Sequence, residues 1–169
     1  MNKYTFIVLI ITALFYGCND STGPSNDDAF GIYLLRDSTL TTSDAKILPI
    51  KSLNVQEKPI ISTTDIIEYH WADHIIILTT EAFERSKSIE GKIKSTYGLP
   101  FLVLVGEQKI YLGNIYPAYS SYIHIDLPYI RVAPFIEMRI AKAPSQDVED
   151  KRNDDNIYSA LQRYNKIVR

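Results

Sequence analysis

The side chains best suited to chemistry fall in a few short stretches. His70-Trp71-Ala72-Asp73-His74 places two imidazoles beside a carboxylate, which with Asp73 or Asp65 as oxygen ligand is a possible seed for a metal site. A structural zinc asks for four ligands, and the one further histidine is His124. Polar residues at the exposed end of a hairpin explain the cluster more simply, so no metal or other cofactor is assigned. Ser120-Ser121, His124 and Asp126 are the residue types of acyl transfer, but no nucleophile elbow surrounds the serines. Glu81 and Glu84 lie three residues apart at a predicted helix start, where the positive end of the helix dipole accounts for both. Gly98, Gly106 and Gly113 are too widely spaced to cradle a phosphate. No catalytic residue is assigned, and the chain is not expected to be an enzyme.

Aromatic chemistry is more prominent. The chain carries 12 Tyr beside 6 Phe and 1 Trp, so most of its aromatic surface bears a hydroxyl that needs water or a partner. Tyr111, Tyr116, Tyr119, Tyr122 and Tyr129 gather in one stretch with Pro117 and Pro128. Amphipathic rings of low rotamer cost suit a binding surface. Half-buried tyrosines in a loop covering a sheet would give the same pattern. The expected ligand or partner surface is Tyr116, Tyr119 and Tyr122, with His70 and His74. A non-enzymatic domain that binds an envelope protein or peptide is the leading expectation. A small-ligand or metal binder built on the same residues is the alternative, and a hydrolase comes third.

Composition narrows the partners. With 18 Lys+Arg against 20 Asp+Glu the net charge is −2, which argues against nucleic acid, whose recognition needs a concentrated basic surface. The single cysteine excludes an intrachain disulfide and any multi-cysteine zinc site.

That cysteine has another use. Lys3 gives residues 1–17 a positive start, and Phe6 to Tyr16 is an apolar run broken by Thr12. Eleven such residues make about 16 Å of helix, too short for a hydrocarbon core of roughly 30 Å. Leu14-Phe15-Tyr16-Gly17-Cys18 resembles the lipobox of bacterial lipoprotein precursors, although that pattern has an aliphatic and a small residue where this chain has Phe15 and Tyr16. The resemblance implies cleavage before Cys18 and lipidation of its thiol, and multiple acyl chains anchor stably where one is marginal. An ordinary secretory signal is the competing explanation. Asn, Asp, Ser, Thr, Gly and Pro fill residues 19–28, a composition that stays disordered and suits a tether. The expected organisation is a signal peptide at 1–17, a lipidated tether at 18–29 and a single domain at 30–169. It would be held to a membrane of the bacterial cell envelope and face the periplasm or exterior.

Within the domain, periodicity predicts a strand at 31–36, one helical turn near Ser43-Asp44-Ala45-Lys46, and a hairpin of Ile66–Trp71 with His74–Leu78. Thr79 or Thr80 caps a helix whose apolar stripe is Ala82, Phe83, Ser86, Ile89 and Ile93, with Gly91 interrupting it and Gly98 as the stop. Leu99 to Val105 is the strongest strand, and it turns at Gly106-Glu107 into Lys109 to Gly113. Residues 114–130 read as loop with a short strand at Ile123–Ile125, followed by an alternating strand from Ile136 to Ile140. A final amphipathic helix over 154–168 presents Ile157, Leu161, Tyr164 and Val168 on one face.

The order of these elements resembles the periplasmic P1 head subdomain of the SecD/SecDF protein-export membrane proteins over about residues 60–125. Thr64-Asp65-Ile66, Leu78-Thr79-Thr80-Glu81-Ala82, Leu102-Val103-Leu104-Val105-Gly106 and Ile110 carry the likeness. That family has Glu-Gly at Glu81-Ala82 and Asp-Gly at Gly106-Glu107. The resemblance implies an α+β fold: a small, mostly antiparallel sheet with a helix packed on one face, here followed by the C-terminal amphipathic helix.

Overall fold

The computed structural model describes residues 29–132 and 136–168. The signal stretch, Cys18, the tether up to Asp28 and Pro134-Phe135 lie outside the described residues. The chain opens with β1 (Phe30–Leu34), α1 (Thr42–Ile47) and β2 (Ile61–Ser62), then the hairpin β3 (Ile66–His70) and β4 (Ile75–Leu78). The helix α2 (Thr80–Glu90) leads into β5 (Leu99–Val105) and β6 (Gln108–Tyr116). The chain closes with β7 (Tyr129–Arg131), β8 (Glu137–Ala141), α3 (Asp155–Arg163) and β9 (Ile167–Val168).

Local chemistry sets the longer elements. The hydroxyl of Thr79 accepts the Ala82 amide at 3.2 Å and starts α2, and Gly91 ends it. Gly106, at φ 56°, supplies the tight turn between β5 and β6. β5 is an unbroken apolar run because both its faces are covered. Phe101 and Val103 enter the main core, whereas Leu102 and Leu104 meet Leu35, Ala45, Leu53 and Leu112 in a smaller core beneath α1.

The nine strands join in the order β2-β1-β5-β6-β7-β8-β4-β3-β9. Pairing is antiparallel except at β6·β7 and β3·β9, which are parallel. α3 touches β1, β5 and β9, which stand at or near opposite edges of that order, so the sheet must curl around it. Ile157, Ala160 and Leu161 of α3, with Ala82 and Ile89 of α2, fill the hollow against Ile32, Phe101, Ile115 and Ile140.

The fold therefore departs from the α+β expectation of a small, mostly antiparallel sheet with a helix on one face. It is a nine-stranded mixed sheet curled into a half-barrel, with three α-helices among the described residues. The strands that enlarge it, β2, β7 and β9, have two or three residues each, too few to display a period of two. Segment 117–128 is loop, with no strand at Ile123–Ile125, but it returns the chain so that β7 pairs in parallel with β6. The final helix is also shorter than 154–168. It stops at Arg163, Asn165 takes φ 56°, and Ile167-Val168 join the sheet. Two β-branched residues favour that outcome, and the β3 edge needs acceptors: the Tyr69 amide donates to Lys166 O at 2.7 Å and that of Trp71 to Val168 O at 3.1 Å.

Candidate functional site

Alternation on β3 sends Tyr69 and His70 to opposite faces of the sheet. Tyr69 enters the core, where its hydroxyl lies 3.0 Å from Nδ1 of His74. His74 is only 2% exposed and takes φ 52° at the hairpin turn. Burial is the main cause that drives its pKa down, to about 4, with the nearby Arg152 cation adding to the effect. Arg152 is itself buried, held in a fork by Asp150 at 2.7 and 2.6 Å and donating to Ile140 O at 2.8 Å. His70 faces the other way, with Nε2 3.2 Å from Glu68. The two histidines do not converge, and no three His, Cys, Asp or Glu side chains group to hold a metal among the described residues.

The serine arrangement does not form either. Ser120 Oγ donates to Thr96 O at 2.8 Å and accepts the Tyr122 amide at 3.2 Å, so this hydroxyl fastens a loop. Asp126 pairs with Lys46 at 2.7 Å. Burial opposes the Asp126 charge, yet the hydrogen bond and charge of Lys46 outweigh it and hold the carboxyl below its usual range. His124 is buried with Nε2 unpartnered, and burial, then Lys46, pushes its pKa down.

Those loop contacts build a surface instead. Tyr116, expected at that surface, is fully buried at the end of β6, and its hydroxyl accepts the His124 amide at 2.6 Å. Arg131 donates to Ser120 O at 2.7 Å from β7. Asn114 accepts from Thr42 Oγ1 at 2.9 Å and donates to Tyr97 O at 2.7 Å, which ties α1 and segment 95–98 to β6. Gly98, at φ 83°, lets that segment pass so close that a Cβ there would sit 2.5 Å from Ile115 O. On this base stand exposed rings and aliphatic side chains. Tyr119 is 73% exposed and Ile125 66%, while Tyr122 is exposed and meets Tyr97 edge-on at 5.0 Å. The Lys46–Asp126 pair brings the end of α1, with Ile47 78% exposed and Leu48, beside Ile125.

Comparison with known proteins found no matching family model, curated relative or solved structure. Tyr119 and Tyr122 face solvent, whereas Tyr116, His74 and His124 serve the interior. Tyr97, Ile125 and Ile47 were not singled out by sequence reasoning. Their signal was isolated apolar residues amid polar neighbours, which also marks buried contacts of short elements. No helix among the described residues is long and apolar enough to cross a membrane.

Proposed function

We propose that this chain is a lipid-anchored envelope protein whose domain binds a protein or peptide partner without catalysing a reaction. The anchor is Cys18, and the binding face is the ridge of Tyr97, Tyr119, Tyr122, Ile125 and Ile47. One observation carries the proposal: large apolar side chains are held out to solvent on a loop fastened from four sides, by Thr96, Tyr116, Arg131 and Lys46. Leaving such rings exposed forgoes burial of roughly 1.5–3 kcal/mol per side chain, and contiguous exposed apolar patches mark interaction sites. A fastened loop also loses little further entropy when a partner docks. The partner is an apolar segment of an envelope protein or peptide, with tyrosines as anchoring contacts.

Photocrosslinking in native membranes tests this reading. A photoreactive residue at Tyr119 is expected to give a discrete crosslinked species that weakens when Tyr97 and Tyr122 become Ser and requires the membrane-held form, compared with Cys18→Ala. A probe at exposed Glu107, on the distant β5–β6 turn, is expected to give none. Equal labelling from both positions, or no species from Tyr119, refutes the ridge as a binding face.

A further inference from the structure

A groove of about 440 Å³ lies between the chain leaving α2 and segment 34–41, floored by Leu34, Leu35, Leu99 and Pro100. That volume falls within the range of ligand-binding clefts. A second hollow of about 170 Å³ shares Gln56 and Lys92 with it and continues along the flank of α2 over Ile60 and Ile89 to Arg85. Arg85 and Lys92 are about two helical turns apart, roughly 10 Å, and the first hollow runs on past Lys92 to Pro100. The stretch from Arg85 to Lys92 alone matches about three residues of extended chain at 3.3 Å each, and the first hollow lengthens it.

Cations outnumber carboxylates on the walls. Lys58, Lys92 and Lys94 line the two hollows, are exposed, and form no ion pair among the described residues. Arg85 is engaged by Asp65 at 2.7 Å. The one carboxylate on the lining, Asp37, accepts the amide and hydroxyl of Thr39 at 2.9 and 2.7 Å. Three unpaired ammonium groups against one carboxylate make the groove positive on a chain whose net charge is −2.

We propose that this groove binds an extended acidic peptide segment. Successive side chains of an extended chain point to opposite sides. Apolar residues at alternate positions would face the leucine and isoleucine floor, and carboxylates between them would face Lys58, Lys92 and Lys94. The distribution of charge selects this ligand among anions. A fatty acid concentrates its charge at one end, whereas these cations are spread along the groove. A polyphosphate has no use for an apolar floor. The groove meets the tyrosine ridge along segment 95–98, where Ser95 and Gly98 line it, but its lining includes none of the ridge side chains, and the proposal stands without the ridge.

The test uses the full chain and a fluorescein-labelled peptide of sequence Leu-Glu-Leu-Glu-Leu-Glu, followed by anisotropy. Saturable binding that weakens with added salt is expected. Lys92→Gln with Lys94→Gln should weaken it at least tenfold, and Lys58→Gln alone by a smaller factor. All three lysines are exposed, so an unchanged circular dichroism spectrum and melt verify that the variants fold. Tyr119→Ser with Tyr122→Ser should leave the affinity unchanged, which separates this site from the ridge. Any of four results overturns the proposal: no saturation up to millimolar protein, equal binding of Leu-Lys-Leu-Lys-Leu-Lys, undiminished binding by the lysine variants, or loss of binding in the tyrosine variant instead. Displacement by laurate or polyphosphate at lower concentration than unlabelled peptide overturns it in favour of that other anion.

Discussion

Proton uptake by His74 on unfolding should make this domain lose stability at mildly acid pH. Its imidazole is enclosed by Tyr69, Trp71, Asp73, Asp150, Arg152 and Asn153, and burial with the Arg152 charge holds its pKa at about 4 against an ordinary value of 6.5. The folded state therefore keeps this histidine neutral while the unfolded chain takes up a proton below pH 6.5. The sign follows: stability is full above pH 6.5 and is lost as pH falls towards 4. The whole gap corresponds to roughly 3 kcal/mol. Near pH 5.5 the unfolded histidine is about nine-tenths protonated and the folded one hardly at all, so this residue alone should cost about 1.2 kcal/mol per pH unit. His124, also shifted down by burial, adds to the wild-type slope. Asp65, Asp126 and Asp150 have lowered pKa values, so their contributions disappear only as pH falls further, through the acid range. Urea unfolding by circular dichroism at pH 7.0, 6.0 and 5.0 measures the slope. His74→Asn is the comparison, because Asn tolerates a positive φ. It should be less stable at pH 7, having lost the Tyr69 contact, but visibly flatter with pH. Parallel lines for wild type and variant would refute the assignment of the acid sensitivity to His74.

Leu161→Ala removes a fully buried side chain from the helix that the sheet surrounds and should cost about 2–5 kcal/mol in the same assay; a loss below 1 kcal/mol would mean α3 is not packed as described. Gly98→Ala strains a residue at φ 83° and drives its Cβ against Ile115 O and the Asn114 amide, so a loss of about 1–3 kcal/mol is expected, with amide exchange quickening first across 95–98 and the tyrosine loop. Cys18→Ala should abolish incorporation of labelled fatty acid and release the domain from washed membranes; retention of an unlabelled wild type would refute the anchor. A chelator should leave the thermal melt unchanged, and a lowered melting temperature would revive His70 and His74 as metal ligands.

What could be read in advance depended on how far each element declares itself locally. The Thr79 cap, the Ile66–Trp71/His74–Leu78 hairpin and the Leu99–Val105 strand combine period, capping and turn chemistry within a few residues; the cap and the last strand stand as read, and each hairpin strand is one residue shorter at the turn, which takes Trp71 and His74. β7 and β9 are strands because distant backbones need partners, β6 for Tyr129–Arg131 and β3 for Ile167-Val168, and no local pattern records such a need. Without those two parallel pairings the sheet looked small, and α2 and α3 seemed to lie on it when they fill its hollow. The tyrosine stretch was ambiguous for a similar reason. Tyr116 and Tyr119 are three residues apart and of one type, yet β6 ends at the first and a turn at Pro117 lifts the second into solvent. The groove beside α2 was invisible in the sequence, because Lys58, Lys92 and Leu34 are brought together only by the curl of the chain.

The place of β5 between β1 and β6 has a consequence in time. β1 rests against it, but Leu99 is made 65 residues after Leu34. At a synthesis rate of about 5–20 residues per second, the first strand waits roughly 3–13 s for β5, with only the two-residue β2 made in between to pair with it. β4 likewise waits for β8, whose first residue follows Leu78 by 59 positions. Non-local pairings of this kind raise contact order and slow folding to milliseconds or longer. The Phe-Gly-Ile-Tyr-Leu segment of β1 is thus the earliest strand of the domain to appear, and one of its two edges stays open until β5 is made. In a nascent chain that interval is when a chaperone or translocation factor can hold it, and when two copies can aggregate.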